Sequence, residues 1–186
     1  MTEASTDGLP PLRLPERLTD GVIVLDAHTL ADAEAHWEGE DEEMRRRFDS
    51  RRRATLEEMR AAVQRWIDGR RNGRPDFTYA LRLPSGALMG GCATYFLAAD
   101  RANVSYWIYP AFRRQGYATR SLALLGQAAA TIDGLAQLEA HIDEDNIASR
   151  RTAEAQGYVL SGTVEDEAWD GVRSTRLRYI RSLRPS

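Results

Sequence analysis

The sequence predicts an α+β domain: a single mixed, largely antiparallel sheet with a central parallel strand pair. Three observations carry this. A β-branched and aromatic run at 104–109 leads into a helical pattern from Ala118 to Ile132 and then into an alternating strand at 138–142; a crossover of that length joins parallel neighbours. Period-two runs on either side return across short turns, at Pro84-Ser85-Gly86 and at Asp170-Gly171, so the flanking strands are antiparallel. Finally, 186 residues with 42% hydrophobic content suit one domain with a sizeable core. No repeat or linker interrupts residues 13–186, whereas residues 1–12 lack apolar periodicity and are expected to be a disordered leader.

In chain order, residues 22–25 form the first strand. Thr29 caps a helix, with Asp32 three residues on as the return carboxylate. Residues 38–48 run from acidic to basic, a short helix or helix and loop whose charges pair. Thr55-Leu56-Glu57-Glu58 is a capping box, and Met59, Val63, Trp66 and Ile67 give the next helix a buried stripe that Gly69, Gly73 and Pro75 bring to an end. The period then changes to two, with a strand at 77–81 and its return at 87–96. After the strand at 104–109, Pro110 stops the pairing. Ala118, Leu122, Leu125, Ala129 and Ile132 recur on one helical face, and Asp133-Gly134 supplies the stop. Leu138, Ala140 and Ile142 alternate with Glu139 and His141 in a half-buried strand. Asn146 caps a short helix ending at Gly157, and 158–164 with 173–180 close the chain as a hairpin.

Composition narrows the chemistry. All 25 basic residues are arginine, so a Walker A lysine, a kinase ATP lysine and a Schiff base are all excluded. His28, His36 and His141 have no HExxH spacing, and no G-x-S-x-G elbow occurs. Cys92 stands alone, which excludes an internal disulfide and a cysteine-rich zinc site. A net charge of −3 argues against a dedicated nucleic-acid binder. No apolar run is long enough to span a bilayer, and the polar, acidic start does not read as a secretory signal, so the expected location is cytoplasmic. The clusters at Arg45–Arg47 and Arg51–Arg53 balance the acidic run before them, and Trp37, Trp66 and Trp107 read as core or interface aromatics.

The junction between the 104–109 strand and its helix is where chemistry becomes available. The first turn of a helix leaves backbone N–H groups without partners and carries about half a positive charge. Here that turn is Arg113-Arg114-Gln115-Gly116-Tyr117-Ala118. Gly116 permits close approach to the backbone and the arginines add full charge, which together suit an anion such as a diphosphate. The same residues also suit a surface helix start with solvated arginines.

Arg113-x-x-Gly116-x-Ala118 after a strand resembles motif A of the GNAT acyltransferases. Asn146-Ile147-Ala148-Ser149 and Gly157-Tyr158 resemble further marks of the ribosomal-protein N-terminal acetyltransferase (RimJ/RimL-like) branch, and the likeness spans about residues 18–182. The resemblance implies that the two parallel strands splay around acetyl-coenzyme A. Its pyrophosphate would lie on Arg113, Arg114, Gln115, Gly116, Tyr117, Ala118 and Thr119, and its pantetheine arm would pair with the backbone of Trp107, Ile108 and Tyr109. Asn146 would touch the pantetheine, beyond its role as a cap. Ser149 would donate to the coenzyme sulfur, since Ala153 stands where many members carry a tyrosine. Asn103 replaces a glutamate common near the start of the central strand. Glu139 and His141 share a face of the next strand and are left as candidates to take a proton through water, with a purely structural histidine as the alternative.

The implied activity is direct acetyl transfer, without a metal, to a primary amine, either a protein N-terminus or a small molecule. A membrane partner is not expected, nucleic acid is disfavoured, and a homodimer is among the assemblies allowed. A catalytically silent coenzyme A-binding module is the alternative function, kept open by Asn103 and Ala153.

Overall fold

The computed structural model describes residues 14–48, 52–72, 76–167 and 173–183. Eight strands form one sheet: β1 (Leu18–Thr19), β2 (Val24–Asp26), β3 (Asp76–Arg82), β4 (Leu88–Ala98), β5 (Arg101–Ile108), β6 (Gln137–Ile142), β7 (Val159–Glu167) and β8 (Arg173–Ser182). Their spatial order is β1-β2-β3-β4-β5-β6-β8-β7. Every neighbouring pair is antiparallel except β5 and β6, as the crossover predicts. The helices are α1 (Asp32–Gly39), α2 (Glu42–Arg47), α3 (Leu56–Arg71), α4 (Tyr117–Ala129) and α5 (Ile147–Ala155).

The parallel pairing is short. Arg101, Ala102 and Asn103 pair with Gln137, Leu138 and Glu139. Beyond Asn103 the two strands continue to Ile108 and Ile142 without pairing to each other. β5 stays bound to β4 as far as Ile108 and Gly90, and β6 stays bound to β8. The sheet is therefore split down its middle.

The core explains why the rest holds. Leu122, Leu125, Ala128 and Ala129 of α4 join Ala102, Val104, Leu138 and Ala140 of the split pair in one buried apolar cluster. β3 is buried continuously over 77–81, the pattern of a strand covered on both faces. The Thr55 box forms in full, with the Glu58 amide donating to the hydroxyl at 3.2 Å and the Thr55 amide to the Glu58 carboxylate at 2.7 Å.

Several boundaries differ from the sequence reading. α1 begins at Asp32, because 29–31 form a turn; Asp32 still accepts from the Thr29 amide at 2.7 Å and also grips Arg82. α3 runs through the buried Gly69 to Arg71, since packing outweighs one glycine's propensity cost. α4 ends before Ile132, which follows in a turn closed by Gly134 at φ 83°. β5 begins three residues earlier than expected, because β4 turns at Ala99-Asp100 and pairs with it from Arg101. The leader at 1–12, Arg51, Gly73, Pro75 and the Asp170-Gly171 turn lie outside the described residues. No helix among the described residues is long and apolar enough to cross a membrane.

Candidate active site

The split opens a cleft of about 690 Å³ lined by β5, β6, the segment 112–119, α5 and α2. Trp107, Ile108, Arg113, Arg114, Gly116, Tyr117, Ala118, Thr119, His141, Asn146 and Ser149 line it, whereas Tyr109, Gln115 and Glu139 do not. Most of the expected residues are thus brought to one cavity.

At one end lies the start of α4. Gly116 is its N-cap in the left-handed conformation (φ 80°), and no side chain caps the helix. Arg114 is also left-handed, at φ 62°, an uncommon conformation for a residue with a Cβ. The first intrahelical bond runs from the Arg120 amide to the Gly116 carbonyl at 3.1 Å. The amides of 117–119 therefore face the cleft without helical partners, as an anion site requires. A Cβ on Gly116 would meet nothing of the protein; the chain needs glycine there for its φ.

Arg113 does something else. Its guanidinium meets Asp41 at 2.6 and 2.9 Å, and its Nε donates to the Ile108 carbonyl at 3.0 Å. Asp41 is also the N-cap of α2, accepting from the Met44 amide at 2.9 Å. Arg113 thereby clamps the anion loop to α2. The hydrogen bond from Arg113 holds the Asp41 carboxyl below its ordinary range against the opposing effect of burial.

Ser149 faces the cleft from the first turn of α5. Asn146 accepts from the Ser149 amide at 3.1 Å, fulfilling the cap. The Ser149 hydroxyl lies 2.8 Å from the phenol oxygen of Tyr106, a neighbour that sequence reasoning missed. Strand alternation could have flagged it, since Tyr106 shares a face with Val104 and Ile108.

The same cleft is lined by a chain of charge. His141 is bracketed by two carboxylates: its Nδ1 is 3.2 Å from both oxygens of Asp166, and its Nε2 is 3.3 Å from Glu139. Burial disfavours the imidazolium, but the hydrogen bonds and charges of Asp166 and Glu139 outweigh it and raise the His141 pKa above 6.5. Burial would push the Asp166 carboxyl up; its partners His141 and Arg176 hold it down instead. Glu139, 2% exposed, also accepts from Arg101 at 3.1 Å and from Gln137 at 3.0 Å, so it reaches the cleft only through His141. Asp166 carried no local signal, because its approach depends on the register of the closing hairpin.

The expected pairing within the acidic-to-basic run holds in part. Arg46 and Arg47 bond Glu43, but both also reach Asp145, and Arg47 reaches Asp143 at 2.9 Å. Arg176 links Asp143 and Asp166. These bonds tie α2 to the loop before α5. Arg53 instead stacks on Trp37, 4.1 Å from the ring centroid. Trp66 and Trp107 pack with His28 and His36, and Trp107 also borders the cleft. Cys92 is 1% exposed and burial pushes its thiol up to about 12, which disqualifies it as a nucleophile.

A mixed sheet split at its parallel pair, with a glycine-started helix at the mouth of the split, is the acyltransferase fold anticipated from the motif. The chain belongs to the GNAT acetyltransferases: the family described as Acetyltransferase (GNAT) domain matches residues 23–159. Solved structures agree on the fold. The microcin self-immunity acetyltransferase MccE, in complex with acetyl-CoA and AMP, superposes with a TM-score of 0.76 at 17% identity, over 88% of this chain and 93% of its own. The ribosomal α-N-protein acetyltransferase RimL, in complex with coenzyme A, gives 0.76 at 19% identity, over 91% and 97%. The aminoglycoside acetyltransferase AAC(6')-Ib, in complex with coenzyme A, gives 0.69 at 14% identity, over 86% and 94%. No curated protein sequence matches the chain.

Proposed function

We propose that the protein moves the acetyl group of acetyl-coenzyme A directly to a primary amine, in a ternary complex, in the manner of the RimJ/RimL-like branch. The observation that carries this reading is the split between β5 and β6, which joins unpaired strand backbone, the open start of α4 and the Ser149 hydroxyl in one cavity. Amides 116–119 hold the pyrophosphate, with Arg114 beside it and Gln115 shaping the loop. The backbone of 107 and 108 receives the pantetheine as a substitute strand, the Tyr109 amide being taken by the Met89 carbonyl at 2.8 Å, and Asn146 fixes the turn that presents Ser149.

Transfer needs the thioester carbonyl beside a neutral nitrogen, and holding both in place removes much of the barrier. The amine attacks the carbonyl carbon; unpaired backbone N–H groups of the split strand stabilise the oxyanion. The C–S bond then breaks. Neutral His141 takes the amine's proton through water, supported by Asp166 and Glu139, and Ser149 donates a hydrogen bond to the departing sulfur. The acceptor is a protein N-terminus or a small amine.

The test is release of free thiol from acetyl-coenzyme A against a panel of amines, with mass spectrometry of the products. Acetylated amine is the expected result. Tight coenzyme binding without turnover on any amine would leave a silent coenzyme-binding module in its place.

A further inference from the structure

The phenol of Tyr106 has one hydrogen and three oxygens around it: the Ser149 carbonyl, the Ser149 hydroxyl and the Thr152 hydroxyl. It lies 3.2 Å from the Ser149 carbonyl and 2.8 Å from the Ser149 hydroxyl. The carbonyl sits inside α5 and already accepts from the helix, so the phenol makes only a second and longer contact with it. The hydroxyl contact is the shorter and has the ordinary length of an O–H···O bond. Thr152, the next hydroxyl on the same helix face, donates to the Ala148 carbonyl at 3.0 Å and so can only accept from the phenol, in competition with the close Ser149 hydroxyl. Tyr106, Ser149 and Thr152 all line the cleft.

We propose that Tyr106 is a positioning residue for Ser149: it donates to the Ser149 oxygen and thereby directs the serine hydrogen at the coenzyme sulfur. A serine hydroxyl without a fixed neighbour can turn to any nearby backbone acceptor. With its lone pair engaged by a phenol, that hydroxyl points outward and is polarised, making it the stronger donor. Burial raises the Tyr106 pKa, which keeps the phenol a donor throughout; no proton leaves it. Position 153 of α5 is an alanine, and β5 supplies a phenol from the other wall of the cleft.

This inference rests on Ser149 facing the sulfur, and its test needs no acceptor. Coenzyme A is bound to the wild type, Tyr106→Phe, Ser149→Ala and the double variant, and the bound thiol is titrated by its thiolate absorbance. Affinity for desulfo-coenzyme A, which lacks the sulfur, reports whether the cleft is intact. A donor to the thiolate lowers the bound thiol's pKa. In Tyr106→Phe and in Ser149→Ala the thiol should titrate about one pH unit higher than in the wild type, with the double variant no higher than either and desulfo-coenzyme A binding unchanged. If Ser149→Ala shifts the titration and Tyr106→Phe does not, or lowers it, Tyr106 is excluded and Ser149 stands. If Ser149→Ala itself has no effect, the reading of Ser149 fails and the role of Tyr106 with it. Weakened desulfo-coenzyme A binding by Tyr106→Phe would make the phenol a structural support and overturn the proposal.

Discussion

Arg113 and Asp41 face each other through two parallel hydrogen bonds, at 2.6 and 2.9 Å. The arginine that opens the motif is thus committed to a carboxylate of the chain itself, and α2 is bolted to the anion loop. Removing either partner should have the same consequence. Arg113→Ala and Asp41→Ala should weaken coenzyme A binding to a similar degree. Asp41→Ala should cost about 1 kcal/mol more stability through the lost cap; the pair itself contributes little, being 33% and 30% exposed. Calorimetric titration and thermal melts would show this. A loss confined to Arg113→Ala would make the guanidinium a direct phosphate ligand.

Gly116 should be intolerant for a backbone reason. Its φ of 80° imposes about 1–2 kcal/mol on any residue with a Cβ, more than a helix-propensity scale would suggest. Gly116→Ala should remain folded, since its methyl group meets no protein atom, and should bind coenzyme A at least tenfold more weakly by the same calorimetric titration. Wild-type affinity in Gly116→Ala would remove the start of α4 from the coenzyme site.

Ser149→Ala should lower kcat by about ten- to a thousandfold with little change in coenzyme A affinity, because its hydrogen bond matters most as the thiolate departs. Asn146→Ala should instead weaken coenzyme binding and cost about 1 kcal/mol of stability. Full kcat in Ser149→Ala, with chemistry shown to limit the rate, would leave the thiolate to depart unaided.

The pH profile should report on His141. Its raised pKa means the imidazolium persists above 6.5, so kcat/KM should climb with pH through that range as the neutral base appears. Asp166→Asn removes the stronger of its two supports and should move the rise to lower pH. A profile unmoved by Asp166→Asn would separate His141 from proton transfer.

Acid should destabilise the fold through a different pair. His28 Nδ1 and His36 Nε2 are 3.1 Å apart, His36 also bonds Tyr109, and both rings are buried. Burial lowers their pKa values from 6.5 to about 3 and about 4. Below pH 6.5 the unfolded chain therefore binds protons that the native state refuses, so stability is intact above that value and falls as pH drops towards 4. The slope is about 1.4 kcal/mol per pH unit for each proton taken up. Urea midpoints between pH 7 and 4 should follow this trend, and His28→Gln should halve it.

Local rules carried the fold a long way. The capping box at Thr55, the crossover around α4 and the Asn146 cap each follow from short spacings, and each stands where the sequence puts it. What stayed hidden depends on distant register. Asp166 meets His141 only because β8 lies between β6 and β7, and Tyr106 meets Ser149 only because α5, packed on α4 and β6, faces β5 across the cleft. The reading of Arg113 as a free positive charge shows the same limit: nothing near the motif signals that Asp41, more than seventy residues earlier, will occupy it.

Where β5 and β6 part, the sheet carries a raw hydrogen-bonding edge in its interior. Natural sheets keep such edges at the rim and blunt them, because any extended segment can dock there and recruit more chain. Here the edge lies inside the sheet, between β5 and β6 beyond Asn103 and Glu139. On the proposed function, a coenzyme arm lying along β5 would cap that edge as a paired strand does, and so would be a structural partner as well as a reagent.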